Sequence, residues 1–169
     1  MMDNIKLIVS DIDGVWTDGS FYYDANGDAL RKFSTKDSFG VSLCRLANIP
    51  LLIVSGEESN IVQKRLIKLG VDNFRLGTLN KLEYLSSYCS NHNINISDVA
   101  YLGDDMNDYN LIDQVGIFAC PADAYIKVKE RSHLVLKTSG GYGVFREFVE
   151  TVLEGKGILE NVYKLYLAK

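Results

Sequence analysis

In KLIVSDIDGVWTDGS, residues 6–20, an apolar run meets three aspartates, Asp11, Asp13 and Asp18, with Gly14 and Gly19 beside them. Crowded carboxylates repel one another and resist leaving water, so the pattern is costly unless a cation or a reaction uses it. Asp11 and Asp13 stand two apart, which in an extended chain places them on one side, and Gly14 permits a sharp turn directly after them. Two further apolar runs end in polar residues: IPLLIVS (49–55) in Ser55, Gly56 and Glu57, and VAYLG (99–103) in Asp104 and Asp105, with Asp108 close behind. Lys81 opens a helical pattern between them.

If these ends converge, Asp11, Asp13 and Asp104 form a hard-oxygen set with Lys81 as the nearby cation, which suits Mg²⁺ with room for water and a phosphate oxygen. A carboxylate can attack phosphorus and form an aspartyl-phosphate, dividing one difficult displacement into two. Asp13 then has the chemistry to protonate the departing alkoxide and activate water. Ser55, the backbone N–H groups around Gly56 and the Lys81 ammonium would stabilise charge on the phosphoryl oxygens.

The elements that must hold these residues are short strands alternating with helices. Runs at 5–10, 49–55, 99–103 and 115–119 are β-rich and bounded by small or polar residues, and helical periodicity covers 37–48, 58–69 and 80–93. That alternation predicts an α/β fold, a doubly wound, Rossmann-like and mostly parallel sheet, in which ligands bind beyond the carboxyl ends of the strands. Residues 17–35 break the pattern: Asn26 and Gly27 predict the turn of an inserted β-hairpin whose Phe21, Tyr22, Tyr23 and Phe33 are too apolar to leave wet. Near the end, VFREFVETVLEG predicts a helix stopped by Gly155, and residues 156–169 a tail helix with Leu159, Val162, Tyr163, Tyr166 and Leu167 on one face. The 169 residues, 47% apolar and 24% charged, fit a single domain spanning 1–169.

With 18 Lys and Arg against 22 Asp and Glu, the formal charge is -4 and no basic block is present, which argues against a nucleic-acid partner. Cys44, Cys89 and Cys120 are widely spaced and only His92 and His133 accompany them, so a soft-ligand metal site is not expected and the thiols read as buried. No apolar run approaches a membrane span and no signal pattern opens the chain, so the expected compartment is the cytoplasm, with no membrane partner.

The set DIDG, VSG, Lys81 and GDDMND resembles the four signature motifs of the haloacid dehalogenase superfamily of aspartyl-phosphate phosphatases. The resemblance implies that Asp11 is the nucleophile and Asp13 the general acid/base, with its main-chain carbonyl also on Mg²⁺. It implies that Ser55 and Lys81 bind phosphate, that Asp104 completes the metal site, and that Asp105 and Asp108 support Lys81 and metal-bound water. Asp18 reads instead as the start of the hairpin, outside direct metal coordination.

No stretch is long enough for the cap domain that most members carry. The fuller match DIDGVWTDG, FYYDANG, KFSTKDSFG, GDDMND and GGYGVFREF resembles the capless, tetrameric sugar-acid phosphatases, in which hairpins meet at the centre and a neighbouring subunit covers the site. A homotetramer acting on a small sugar-acid phosphate is the implied arrangement.

Two branches fit: phosphatases of 2-keto-3-deoxynononic acid 9-phosphate and of 3-deoxy-D-manno-octulosonate 8-phosphate. The octulosonate branch typically has Arg after the glycine of the second motif. Glu57 stands there, with Lys68 further along, and with DGVWTDG this favours the nononate branch. Glu57 is equally an acid of the kind a helix N-terminus favours. Thr35, Lys36, Asp37, Ser38, Arg65 and Arg146 are the further candidates for sugar-acid contacts, because a substrate carboxylate calls for a basic partner. A receiver-type phospho-acceptor, or an idle assembly partner, is the rival class. The first would need an acceptor Asp where Ser55 stands, and the second sits poorly with a complete set of motifs.

Overall fold

The computed structural model describes residues 2–168. Six strands, β1 (Leu7–Ser10), β4 (Leu51–Val54), β5 (Phe74–Arg75), β6 (Val99–Leu102), β7 (Ile117–Cys120) and β8 (Leu134–Val135), form one sheet in the order β5-β4-β1-β6-β7-β8, with every pairing parallel. The remaining two, β2 (Tyr22–Asp24) and β3 (Gly27–Leu30), form the separate antiparallel hairpin. The helices are α1 (Thr35–Leu46), α2 (Asn60–Lys68), α3 (Lys81–Asn91), α4 (Ile126–Arg131), α5 (Val144–Gly155) and α6 (Leu159–Leu167).

The central strands β1, β4, β6 and β7 are buried on both faces, and their alternation divides the core in two. Ile8, Ile53, Ala100 and Leu102 belong to one cluster with Val41 and Leu43 of α1 and Phe145, Phe148, Val149 and Val152 of α5. Leu7, Val9, Leu52, Val54, Val99 and Tyr101 belong to the other, with Leu85 and Cys89 of α3 and Val128 of α4. All three cysteines are buried and free, as the sequence predicts. No helix among the described residues is long and apolar enough to cross a membrane.

Strand order positions the site. β1 is flanked by β4 on one side and β6 on the other, so the chain winds outward through β4 and β5 and returns across β1 to start the second half. The crevice at that reversal lies beyond the carboxyl ends of β1, β4 and β6, where the polar clusters stand. Between β1 and α1 there is only the hairpin, and between β4 and Lys81 only α2 and β5, so there is no cap domain.

Four local expectations change in detail. The hairpin loop is Ala25 and Asn26, and Gly27 already pairs with Asp24; the positive φ of 115° belongs to Gly27 rather than to the loop residues. α5 runs through Gly155, and the left-handed residue after it is Gly157, φ 68°. Gly155 instead makes room, since a Cβ there would lie 2.0 Å from Met2 Sδ. Phe33 packs against the main core, while Phe21, Tyr22 and Tyr23 remain exposed. On the tail, Val162 is buried and Tyr163 and Tyr166 pack on Phe39 of α1, whereas Leu167 is exposed.

Candidate active site

Asp11 leaves β1 with a buried carboxyl, its Oδ1 accepting from Ile12 N at 2.7 Å and its Oδ2 2.7 Å from Lys81 Nζ. Lys81 is also buried, as the first residue of α3, where Asn80 caps the helix by accepting from Glu83 N. Its ammonium meets Asp108 Oδ1 at 2.7 Å. Asp108 is fully engaged, accepting in addition from Tyr101 Oη at 2.6 Å and from Asp104 N at 3.2 Å. Burial opposes the Lys81 charge, but Asp108 and Asp11 outweigh it and hold the ammonium above its usual range.

One oxygen from each of Asp11, Asp104 and Asp108 falls within 4.8 Å of the others. Asp108 is spoken for by its donors, whereas no hydrogen bond or ion pair among the described residues engages the Asp104 carboxylate. Gly14 makes this placement possible: at φ +78°, a Cβ there would come within 1.9 Å of Asp104 Oδ2. Burial first, then repulsion from Asp108, raises the Asp11 carboxyl to about 7 against the attraction of Lys81. Burial, then Asp11 and Asp108, raises Asp104 to about 8. Two hard carboxylates so destabilised, with no imidazole or thiolate beside them, fit a small divalent cation such as Mg²⁺.

The cavity above them, about 450 Å³, is lined by Asp11, Asp13, Ser55, Gly56, Glu57 and Asp104, and at its rim by Thr78, Leu79 and Asn107. Ser55, buried at the end of β4, accepts from Glu57 N at 3.3 Å. The Asp13 carboxylate turns away from the three-carboxylate group toward Thr17 and the hairpin, so it is not part of that cluster.

Comparison with known proteins points to one family. Residues 74–148 match the family described as haloacid dehalogenase-like hydrolase. The 3-deoxy-D-manno-octulosonate 8-phosphate phosphatase KdsC of Haemophilus influenzae is 36% identical over 156 residues, 92% of this chain and 87% of that protein. The chain belongs to the haloacid dehalogenase-like sugar-acid phosphatases. Among solved structures, a probable phosphatase from Pseudomonas syringae has a TM-score of 0.94 at 35% identity, covering 98% of this chain and 94% of that one. The octulosonate 8-phosphate phosphatase of Moraxella catarrhalis, in complex with magnesium, phosphate and KDO, has a TM-score of 0.92 at 26% identity over 98% and 95% of the two chains.

As a member of this family the chain is a phosphatase, and the preference for the nononate branch finds no support among these relatives, whose named substrate is the octulosonate phosphate. Of the residues named for sugar contacts, Glu57 alone lines the cavity. Asp37 is buried and caps α5 by accepting from Arg146 N at 3.1 Å; burial raises its carboxyl to about 6. Arg65 donates to Ser38 Oγ at 2.8 Å, and Arg146 pairs with Glu150 at 2.7 Å over the Phe39 ring. Thr35 and Lys68 are exposed away from the cavity. These residues stand on α1, α2 and α5 rather than at the ends of β1, β4 and β6, which form the crevice. Asp105 also departs from expectation: it is exposed at the rim, accepts from Met106 N and does not touch Lys81, leaving that role to Asp108. Asp18 pairs with Lys32 of the hairpin at 3.1 Å, as its reading as the hairpin's start anticipates. The residue missed altogether is Arg31, which reaches Asp13 from the hairpin's return.

Proposed function

We propose that this protein is a Mg²⁺-dependent phosphatase of 3-deoxy-D-manno-octulosonate 8-phosphate that works through an aspartyl-phosphate on Asp11. The observation that carries the reading is the buried Asp11 carboxyl, held by Lys81 and Ile12 N at the floor of the one crevice where β1, β4 and β6 end. An Asp11 oxygen attacks phosphorus as the ester P–O bond breaks, and Asp13 gives its proton to the leaving oxygen. Water then gives a proton to Asp13 as its oxygen displaces the Asp11 carboxylate from phosphorus. Ser55 and the N–H groups after β4 bind the phosphoryl oxygens, while Lys81 offsets their charge. Asp11, Asp104 and the Asp13 carbonyl would hold Mg²⁺, which when bound would supply the positive charge that lifts the repulsion between these carboxylates and would act as a Lewis acid toward the phosphoryl group.

The substrate reading rests on the relatives, and Glu57 in the cavity makes the nine-carbon nononate phosphate the right comparator. A kcat/KM at least tenfold higher on the eight-carbon phosphate supports the assignment; the reverse order overturns it. No arginine lines the cavity among the described residues, and the exposed Phe21, Tyr22, Tyr23 and Leu30 of the hairpin suit burial against further copies. We read the homotetramer, with a neighbour completing the site of each single-domain subunit, as part of the same function, and the cytoplasm as its compartment.

Mg²⁺ affinity is expected to depend steeply on pH. Carboxyls at about 7 and about 8 are protonated at pH 6, so binding must expel up to two protons. The dissociation constant should rise by up to ~100-fold per unit as pH falls below about 7, and level off above about 8. Calorimetry at pH 6 in two buffers of different ionisation enthalpy counts the protons, and a count of zero contradicts the expectation.

A further inference from the structure

Trp16 is buried on the turn that follows β1. Its backbone helps close that turn, Trp16 N donating to Ile12 O at 2.8 Å, and its ring stacks on Phe145 of α5 with 4.4 Å between centroids. Gly40 of α1 keeps the seat tight, because a Cβ there would come within 2.9 Å of the Phe145 ring. From this seat the indole Nε1 donates to Ser10 Oγ at 3.0 Å, and Ser10 Oγ donates to the Asp11 carbonyl at 2.7 Å. Ser10 itself is fully buried, the one polar residue of β1 after Leu7, Ile8 and Val9.

We propose that Trp16 and Ser10 are positioning residues of this phosphatase: their relay of hydrogen bonds fixes the Asp11–Ile12 peptide and, through Ile12 N, the angle at which the Asp11 carboxylate meets phosphorus. The inference rests on the reading of Asp11 as the nucleophile. Alternation along β1 turns Ser10 toward α1 and α5, where Trp16 and Phe145 pack, while Asp11 turns toward the crevice. One peptide group joins the two sides. Its carbonyl, from Asp11, accepts from Ser10, and its N–H, from Ile12, donates to Asp11 Oδ1 at 2.7 Å. Rotation of that peptide would swing both groups, so a hydroxyl fixed on the carbonyl also fixes the carboxylate.

Among the described residues no backbone N–H donates to the Asp11 carbonyl, which leaves Ser10 as its restraint. A serine hydroxyl turns about its own bond to suit its partners. Trp16 Nε1 occupies a lone pair of Ser10 Oγ, so the Ser10 proton is directed to Asp11. A buried indole N–H needs only an acceptor, and any carbonyl would serve. Placing that acceptor on a hydroxyl that bears on the nucleophile's own peptide is the part that packing does not explain. Misplacing a reacting group by about 1 Å can cost about 10²-fold in rate, so a restraint outside the cavity has leverage on the chemistry.

The test is first-turnover nitrophenol release from p-nitrophenyl phosphate at saturating Mg²⁺, followed by stopped flow. This leaving group departs without a proton and belongs to no sugar acid, so the rate reports attack by the nucleophile whatever the natural substrate. Ser10→Ala should slow the first turnover about 30-fold, with the half-saturating substrate concentration within about threefold of the native value. Trp16→Phe keeps a ring on Phe145 and removes the N–H; it should slow release about fivefold, and it carries the test if the Ala variant does not fold. Because Trp16 acts through Ser10, the double variant should be no more than about twofold slower than Ser10→Ala. A full rate in either single variant, with only its urea stability reduced, overturns the proposal. Losses that multiply in the double variant, or that appear only as a raised half-saturating concentration, overturn it as well. Asp11→Asn is measured in parallel. If it still releases nitrophenol at the native rate, the reading of Asp11 has failed; if it does not and the Ser10 and Trp16 variants keep full rates, only the relay has failed.

Discussion

Asp11→Asn is expected to lower phosphate release by roughly 10⁴–10⁶-fold, the scale seen when a covalent nucleophile is removed, and at the same time to make the metal-free protein more stable above neutral pH. The amide keeps an oxygen for Ile12 N and Lys81 retains Asp108, while the amide nitrogen then faces the Lys81 ammonium donor against donor, which takes back part of the gain. What disappears is a buried carboxyl raised from 3.8 to about 7. An acid whose folded-state pKa lies above its unfolded value holds its proton more tightly when folded, so it subtracts stability as pH rises from about 4 to about 7. That cost is complete above about pH 7 and amounts to about 2–4 kcal/mol. Urea unfolding in EDTA should therefore show the variant ahead of the native protein at pH 8 and level with it near pH 4. Undiminished turnover contradicts the nucleophile assignment; a variant less stable at pH 8 contradicts the electrostatic account.

The same residue shows what was readable from the sequence. Asp11, Ser55 and Asp104 each stand directly after a short β-rich run, and a parallel sheet buried on both faces turns such runs into strands whose ends share one edge. Lys81 and Asp108 follow from their spacing to those ends. Arg31 carried no such signal: its position depends on how the hairpin folds back, since its partner Asp13 lies 18 residues earlier and its neighbour Asp28 in β3 is tied in turn to Ser59, 31 residues further on. β8 and α4 were invisible for a simpler reason, since two and six residues are too few to show a period. α5 does end at Gly155, but the left-handed residue is Gly157, and Gly155 itself answers to Met2, a contact across the whole chain. Thr35, Asp37, Arg65, Lys68 and Arg146 were chosen for the charge a sugar acid needs, and charge alone does not say which side of a helix meets the crevice.

Lys81→Met is expected to be damaging in both respects. The ammonium sits 2.7 Å from Asp11 and 2.7 Å from Asp108, and its removal leaves two buried carboxylates facing each other without a cation. Removing one partner of a buried ion pair costs about 3–5 kcal/mol, and losing a charge-stabilising donor at the phosphoryl oxygens costs about 10²–10³ in kcat. The two losses separate by chemistry. Mg²⁺ binds the folded site and not the unfolded chain, so saturating metal should return part of the stability by mass action. It cannot occupy the place of Lys81 above Asp108, whose oxygens already accept from Tyr101 and the Asp104 backbone, so kcat should stay low. Adding Asp108→Asn to the Met variant removes the second orphaned charge and should also recover stability, giving a coupling between the two positions of more than about 1 kcal/mol in a double-mutant cycle. Additive losses would mean that Lys81 and Asp108 do not act as a pair. Recovery of kcat together with stability would mean that Lys81 holds the fold and contributes nothing to the transferred phosphoryl group.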